Sequence, residues 1–101
     1  MRPKCQYVWD RYGMRCGVKR DDEFGDWCAY VDVPEGHPAR MHTHDSPVLA
    51  HVRKSCGLTF SGQTPGGAWT LGAGHGGAGL GIREAKAVAN RIAAQLAVMV
   101  R

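Results

Sequence analysis

The chain has 101 residues, of which 44% are hydrophobic and 22% are charged, and its formal net charge is +4. This length and composition predict a single folded domain (residues 1–101) and exclude an extensively disordered chain. No early run has the pattern of an export signal, and the only long helical stretch is interrupted by Arg and Asn. We therefore expect a cytoplasmic protein that does not contact a membrane.

The part of the chain before its last third is rich in short strand patterns (residues 5–71). Residues 5–9 and 14–18 predict two strands, joined by a turn at residues 10–13 that ends in glycine. Residues 27–33 alternate like a half-buried strand, which Pro34 ends because proline has no amide proton for the ladder. After a loop at residues 34–47, residues 48–52 and 58–60 predict two further strands with a turn between them, and residues 68–71 predict a last short one.

The end of the chain combines a glycine-rich connector with a helix. Half of residues 66–81 are glycine, which predicts little regular structure there. From residue 82 to residue 101, apolar side chains recur at three- and four-residue steps (Ala85, Val88, Ile92, Leu96 and Met99). We predict a helix over residues 82–100 that covers one face of the sheet. The expected fold class is α+β: a small antiparallel sheet of short strands packed by one long C-terminal helix.

The four cysteines do not form the spacing of a zinc site. Cys5, Cys16, Cys28 and Cys56 include no Cys-x-x-Cys pair. Without an export signal, reduced and buried thiols are the expected state. A disulfide framework, which four cysteines allow in three pairings, stays open.

Histidines provide the candidate metal site. His42 and His44 are two apart, so in an extended segment both rings point the same way, with Asp45 beside them. His37 and His75 complete the candidate ligand set if the fold brings them close, and zinc is the metal that such a set favours. The alternative is a polar loop with exposed histidines. No organic cofactor is expected, because the glycine-rich run is followed by one helix and no further strand. The sequence does not identify a catalytic residue.

The N-terminal part provides a candidate partner-binding surface. Basic and aromatic side chains are interleaved there (Tyr7, Trp9, Arg11, Tyr12 and Arg15). Trp, Tyr and Arg dominate the energetics of protein interfaces, and the same interleaving is typical of nucleic-acid surfaces. A solvated basic edge of the sheet is the third interpretation.

Three blocks of the chain resemble a family of small uncharacterised proteins encoded by actinobacterial phages and some bacterial genomes. Residues 25–38 (GDWCAYVDVPEGHP) are similar to the family's Cys-Gly-Tyr-Val-x-Val-Pro-x-Gly-His-Pro block. Residues 55–60 (SCGLTF) resemble its His-Gly-Gly-Leu-Thr-Tyr/Phe block, and residues 69–79 resemble its Trp-rich segment with a His-Ala-Gly-Asp block. Ser55 replaces the second block's histidine, and Gly74, Ala78 and Gly79 stand where acidic residues flank the third. This chain therefore keeps at most His37 and His75 of the polar residues that these blocks share.

The resemblance implies a phage setting, and the lost polar residues weaken the case for an enzyme. We expect a small phage-encoded accessory protein that binds a host macromolecule in the host cytoplasm, with an inhibitory or toxic effect on the host. A host protein is the first expected partner and nucleic acid the second. A zinc-type structural or hydrolytic domain is the alternative, and the sequence leaves monomer and homodimer equally open.

Overall fold

The computed structural model of the chain describes residues 5–23, 25–64, 66–76 and 78–100; Arg101, the last residue of the periodic stretch, lies outside them. The described strands are β1 (Tyr7–Arg11), β2 (Met14–Arg20), β3 (Trp27–Val33), β4 (Leu58–Gln63) and β5 (Trp69–Ala73), and the helices are α1 (Ala50–Cys56) and α2 (Ile82–Val98). Within these residues all strand pairs are antiparallel, in the spatial order β1-β2-β3-β5-β4. The predicted α+β class is confirmed.

A tight hairpin joins β1 to β2. Arg11 pairs with Met14, and the two residues between them, Tyr12 and Gly13, have φ angles of 53° and 75°. Two positive φ angles in a two-residue loop are the mark of a type I′ turn, whose twist matches that of the flanking strands. The turn is therefore shorter than the predicted one at residues 10–13, because β1 continues through Arg11. Strand β2 is also longer than predicted, since it ends at Arg20.

Helix α2 covers one face of the sheet, as predicted, and it ends at Val98, two residues before the predicted end. Alternate residues of the three central strands point at it and are buried: Met14, Cys16 and Val18 of β2, Ala29, Val31 and Val33 of β3, and Trp69, Leu71 and Ala73 of β5. The helix meets them with a stripe of mostly small side chains, namely Ala85, Ala89, Ile92, Ala93 and Leu96. At its start, the Glu84 carboxylate accepts a hydrogen bond from the Gly81 N–H at 2.7 Å, which satisfies a donor that the helix leaves unpaired.

The strand predicted at residues 68–71 is present within the glycine-rich connector and extends two residues further, to Ala73. This strand is β5, all five of its residues are buried, and it pairs with β3 on one side and β4 on the other. Backbone hydrogen bonds to β3 and β4 hold this segment as a strand, although its glycine content gives it a low strand propensity. Among the described residues of the connector, those at 66–68, 74–76 and 78–81 lie outside any helix or strand.

The predicted strand at residues 48–52 and the predicted turn at residues 53–57 are wrong. Residues Pro47–Leu49 form a 3-10 turn that continues into α1. The Ser46 hydroxyl accepts a hydrogen bond from the Val48 N–H at 3.3 Å, and Gly57 ends the helix with a φ of 69°. Leu49, Val52 and Cys56 are buried at three- and four-residue spacing. Packing of this stripe on the core outweighs the strand preference of the two valines.

Candidate functional site

The four histidines of the predicted metal site have separate hydrogen-bond partners. His37 is buried, its Nδ1 accepts the Ala39 N–H at 2.9 Å, and its Nε2 lies 2.8 Å from the Leu96 carbonyl oxygen. Because Nδ1 is an acceptor and a carbonyl oxygen can only accept, Nε2 must carry the proton. His37 therefore joins the loop at residues 34–47 to the last turn of α2, and both of its ring nitrogens are used.

The other three histidines lie in three different surroundings. His42 Nδ1 is 3.0 Å from the Ser46 hydroxyl, and His44 Nδ1 is 3.0 Å from the Ser61 hydroxyl on β4. His75 lies on the opposite side of the sheet, between Tyr30 and Thr59. Among the described residues, no group of three or more His, Cys, Asp or Glu side chains is placed to hold one metal ion. Cys16, Cys28 and Cys56 are buried, as expected, and none of these three forms a disulfide in the described structure.

The predicted partner surface is divided between the two sides of the β1–β2 hairpin. We call Tyr7, Trp9, Arg11, Tyr12 and Arg15 the hairpin surface. Tyr7 and Trp9 lie on the α2 side, where Lys86 Nζ is 4.8 Å from the Tyr7 ring centroid and Trp9 Nε1 donates to Asn90 Oδ1 at 2.8 Å. Arg15 lies on the opposite face of the sheet, because Cys16 beside it points into the core.

Two depressions meet at this hairpin. One, of about 320 Å³, is lined by Val8, Trp9, Asp10 and Arg15. The other, of about 300 Å³, lies where the hairpin turn, the end of β3 and the β4–β5 connection converge, and its charged lining residues are Arg15, Asp32, Glu35 and Arg40. Arg15 belongs to both, so it is the side chain best placed to contact anything bound at this end of the sheet.

A row of alternating large side chains and glycines crosses the sheet face opposite α2. Cross-strand pairing aligns Val8, Gly17, Tyr30, Gly72 and Phe60. A Cβ atom on Gly72 would lie 2.9 Å from the Tyr30 ring, so the glycine is needed for the ring to lie across β5. The ring is almost fully buried there, although no helix covers this face in the described part of the chain.

Tyr30 is the centre of a polar and aromatic cluster, which we call the Tyr30 cluster (Cys28, Tyr30, Thr59, Phe60 and His75). The Tyr30 hydroxyl lies 2.7 Å from His75 Nε2, and Thr59 Oγ1 lies 2.8 Å from His75 Nδ1. The His75 ring is stacked on Phe60, with centroids 5.4 Å apart and planes 30° apart. With Tyr30 donating to Nε2, the proton of the imidazole is on Nδ1, which donates to Thr59.

The ionisable groups of the Tyr30 cluster are held in their neutral forms. Burial raises the pKa of Tyr30, and the neighbouring thiols of Cys28 and Cys5 act in the same direction. Burial also raises the pKa of Cys28 and lowers the pKa of His75. A nucleophilic thiol needs the opposite shift, toward the thiolate. The chemistry that this cluster offers is therefore hydrogen bonding and aromatic contact rather than an activated nucleophile.

The sequence analysis missed Tyr30, Thr59 and Phe60 as candidate site residues. Strand alternation alone places Tyr30 on the face opposite Val31, but the glycines beside it come from strands β2 and β5, which are more than forty residues apart in the chain. Only the pairing register brings them together. His75 was predicted as a metal ligand, and the structure gives it two hydroxyl partners instead.

The chain matches no family model, no curated protein and no solved structure. The resemblance to the phage family therefore stays a prediction. In the described part of the chain, neither helix has the length and apolar character needed to cross a bilayer.

Proposed function

We propose that this chain is a phage-encoded accessory protein that acts in the cytoplasm of a bacterial host by binding a host protein through the hairpin surface. The resemblance of residues 25–38, 55–60 and 69–79 to phage proteins supports the setting. The binding role rests on the side chains of the hairpin, and the effect on the host is inhibitory or toxic.

The observation that carries the proposal is the exposure of large side chains on this hairpin. Tyr7 is 51% exposed, Val8 is 50% exposed and Tyr12 is 58% exposed. Arg11 lies beside Tyr12, with its guanidinium carbon 5.9 Å from the ring centroid. A two-residue turn and its flanking strands thus present aromatic and arginine side chains, the types that contribute most to binding energy at protein interfaces.

The test is capture of a partner from an actinobacterial lysate on immobilised protein, with two variants that remove side chains of the hairpin surface. Tyr12→Asn removes the ring but keeps a residue that tolerates the positive φ angle. Arg15→Ala removes the cation that both depressions share. Lys54→Ala is the matched control, because it removes one positive charge from an exposed position on α1.

We expect saturable capture of one host protein, weakened by about tenfold or more in each hairpin variant and unchanged in Lys54→Ala. Expression of the wild-type chain should slow growth of the host, and the hairpin variants should not. If no saturable partner is found and growth is unaffected, the proposal fails. It also fails if the hairpin variants capture the partner as well as the control does.

Nucleic acid is the competing partner, and the same experiment separates it. Arg11 and Arg15 carry positive charge on either side of the exposed Tyr12. Capture that disappears after nuclease treatment, with direct binding to mixed-sequence DNA that falls steeply with salt, would assign the hairpin surface to nucleic acid instead.

A further inference from the structure

The two edges of the sheet differ in how they are protected. At the β4 edge, the pairing with β5 shifts register between Leu58 and Phe60, and the His44 N–H donates to the Ser61 hydroxyl at 3.1 Å. Strand β1 forms the other edge and, among the described residues, pairs only with β2. Natural edge strands usually carry lysine, proline or a bulge that prevents pairing with another chain. Residues 7–11 contain no lysine and no proline, and their register with β2 is unbroken. The strand does carry two charged side chains, Asp10 and Arg11, and just before it the Gln6 N–H donates to the carbonyl of Val18, the residue that pairs with Tyr7.

The hairpin geometry determines which backbone groups of β1 point outward. In a hairpin with a two-residue loop, the residues that flank the loop form a hydrogen-bonded pair, here Arg11 and Met14. The backbone N–H and C=O groups of successive residues point to opposite edges of a strand. Those of Tyr7, Trp9 and Arg11 therefore point toward β2. Val8 and Asp10 direct theirs toward the open edge.

We propose that β1 pairs antiparallel with β1 of a second copy of this chain, with the two-fold axis at Trp9. The two sheets then form one continuous sheet, and Val8 of each copy exchanges backbone hydrogen bonds with Asp10 of the other. This inference uses the backbone edge and the side chains of β1, whereas the two variants that test the proposed function, Tyr12→Asn and Arg15→Ala, lie outside this strand.

Three registers are compatible with the outward-pointing groups, and one of them pairs the whole strand. A two-fold axis at Trp9 pairs all five residues of β1 with the second copy. An axis at Val8 pairs only residues 7–9 of the strand, and an axis at Asp10 pairs only residues 9–11. The axis at Asp10 also places two aspartates directly opposite each other, which is destabilising. The number of paired residues and the absence of opposed aspartates both favour the register with the two-fold axis at Trp9.

The side chains that this register brings together are complementary. Arg11 of each copy lies opposite Tyr7 of the other on the α2 side, an arrangement that suits a guanidinium against an aromatic ring. Trp9 lies opposite Trp9 of the other copy, and aromatic cross-strand pairs of this kind are favourable. On the other side, Val8 lies opposite Asp10. Within the paired strands no like charges face each other across the axis, and two exposed large side chains, Tyr7 and Val8, gain neighbours. Because Lys86 Nζ already lies 4.8 Å from the Tyr7 ring centroid, the guanidinium of the second copy must lie against the part of the ring that Lys86 leaves free.

The register is tested by disulfide cross-linking between two variants. Tyr7 and Arg11 are exposed, so Tyr7→Cys and Arg11→Cys should leave the fold intact. In the proposed register these positions face each other in a pair that is not hydrogen-bonded between the copies, where Cβ atoms are closest. A mixture of the two variants under mild oxidation should give a cross-linked heterodimer by mass spectrometry. Each variant alone, and the wild type, should give none.

A second measurement tests the backbone hydrogen bonds. Asp10→Pro removes an outward-pointing N–H and leaves the β1–β2 ladder intact, whereas Asp10→Ala removes the side chain alone. In sedimentation equilibrium, we expect the wild type and Asp10→Ala to approach the dimer mass as concentration rises, and Asp10→Pro to stay at the monomer mass. A melting curve for each variant checks the fold, and if Asp10→Pro is unfolded the cross-linking result decides.

The outcomes that overturn the inference are distinct from those that overturn the proposed function. A wild type that stays monomeric at every concentration, or a mixture that gives no heterodimer, removes the second copy from the β1 edge. Cross-linking by Tyr7→Cys or Arg11→Cys alone refutes the register. Neither result decides whether Tyr12→Asn and Arg15→Ala weaken capture of a host protein, and loss of capture in those two variants leaves the dimer standing, because neither residue belongs to β1.

Discussion

Replacing His37 by alanine should destabilise the protein without any involvement of a metal. The ring is 7% exposed and joins two parts of the chain that are far apart in sequence, the loop at residues 34–47 and the last turn of α2. Its Nε2–H donates to the Leu96 carbonyl, and its Nδ1 accepts the Ala39 N–H. His37→Ala removes both hydrogen bonds and leaves a space where the ring was packed.

The size of the effect follows from these contacts. Each buried hydrogen bond contributes about 1 kcal/mol net, and the unfilled space adds roughly another 1 kcal/mol. A total of about 3 kcal/mol lowers the melting temperature of a domain of this size by about 15 °C. His51→Ala is the matched control, because His51 is exposed on α1 and alanine is a good helix former.

The assay is thermal unfolding of wild type, His37→Ala and His51→Ala, each with and without a chelator. We expect a large loss for His37→Ala, almost none for His51→Ala, and no effect of the chelator on any of them. If chelation lowers the wild-type melting temperature by as much as His37→Ala does, the histidines bind a metal and our interpretation of His37 is refuted. A loss for His37→Ala no larger than that for His51→Ala would refute it as well.

Three further predictions concern the sheet face opposite α2 and the thiols. Gly72→Ala should lower the free energy of unfolding in urea by about 1–3 kcal/mol, because the new Cβ atom would lie 2.9 Å from the Tyr30 ring and 3.1 Å from the Ala29 carbonyl oxygen. Gly66→Ala is the control and should be neutral, because its nearest contact is at 3.9 Å. Burial holds the pKa of His75 below its ordinary 6.5, so as the pH falls the unfolded chain binds the proton first and the wild type should lose stability below about pH 6.5. A His75→Gln variant should show a flatter dependence of the free energy of unfolding on pH. Equal slopes for the two proteins would contradict this assignment. Burial raises the pKa of Cys16 to about 11, so in the native protein iodoacetamide should modify the half-buried Cys5 well before Cys16. Peptide mass spectrometry measures the two rates of modification, and equal rates would show that the core face of the sheet is open to solvent.

Local signals were sufficient where the chain's periodicity and its burial agree. Residues 27–33 alternate in sequence and form β3 with those bounds. The helix at the end of the chain begins at Ile82, as its apolar spacing predicts. At residues 48–52 the valines favour a strand, whereas Ser46, Pro47 and Gly57 are typical of the start and the end of a helix. In this segment the capping residues, rather than the β-branched residues, determine the local structure.

The sequence by itself determined the class of the fold, the face of α2 that is buried and the hairpin that presents exposed aromatic and basic side chains. It did so because these features depend on neighbours within a few residues along the chain. The pairing register of β2, β3 and β5 was decided only by tertiary structure, and it is this register that places Tyr30 between two glycines and next to His75. The separation of the four histidines was decided in the same way, since each ring is held by a partner that the folded chain brings to it.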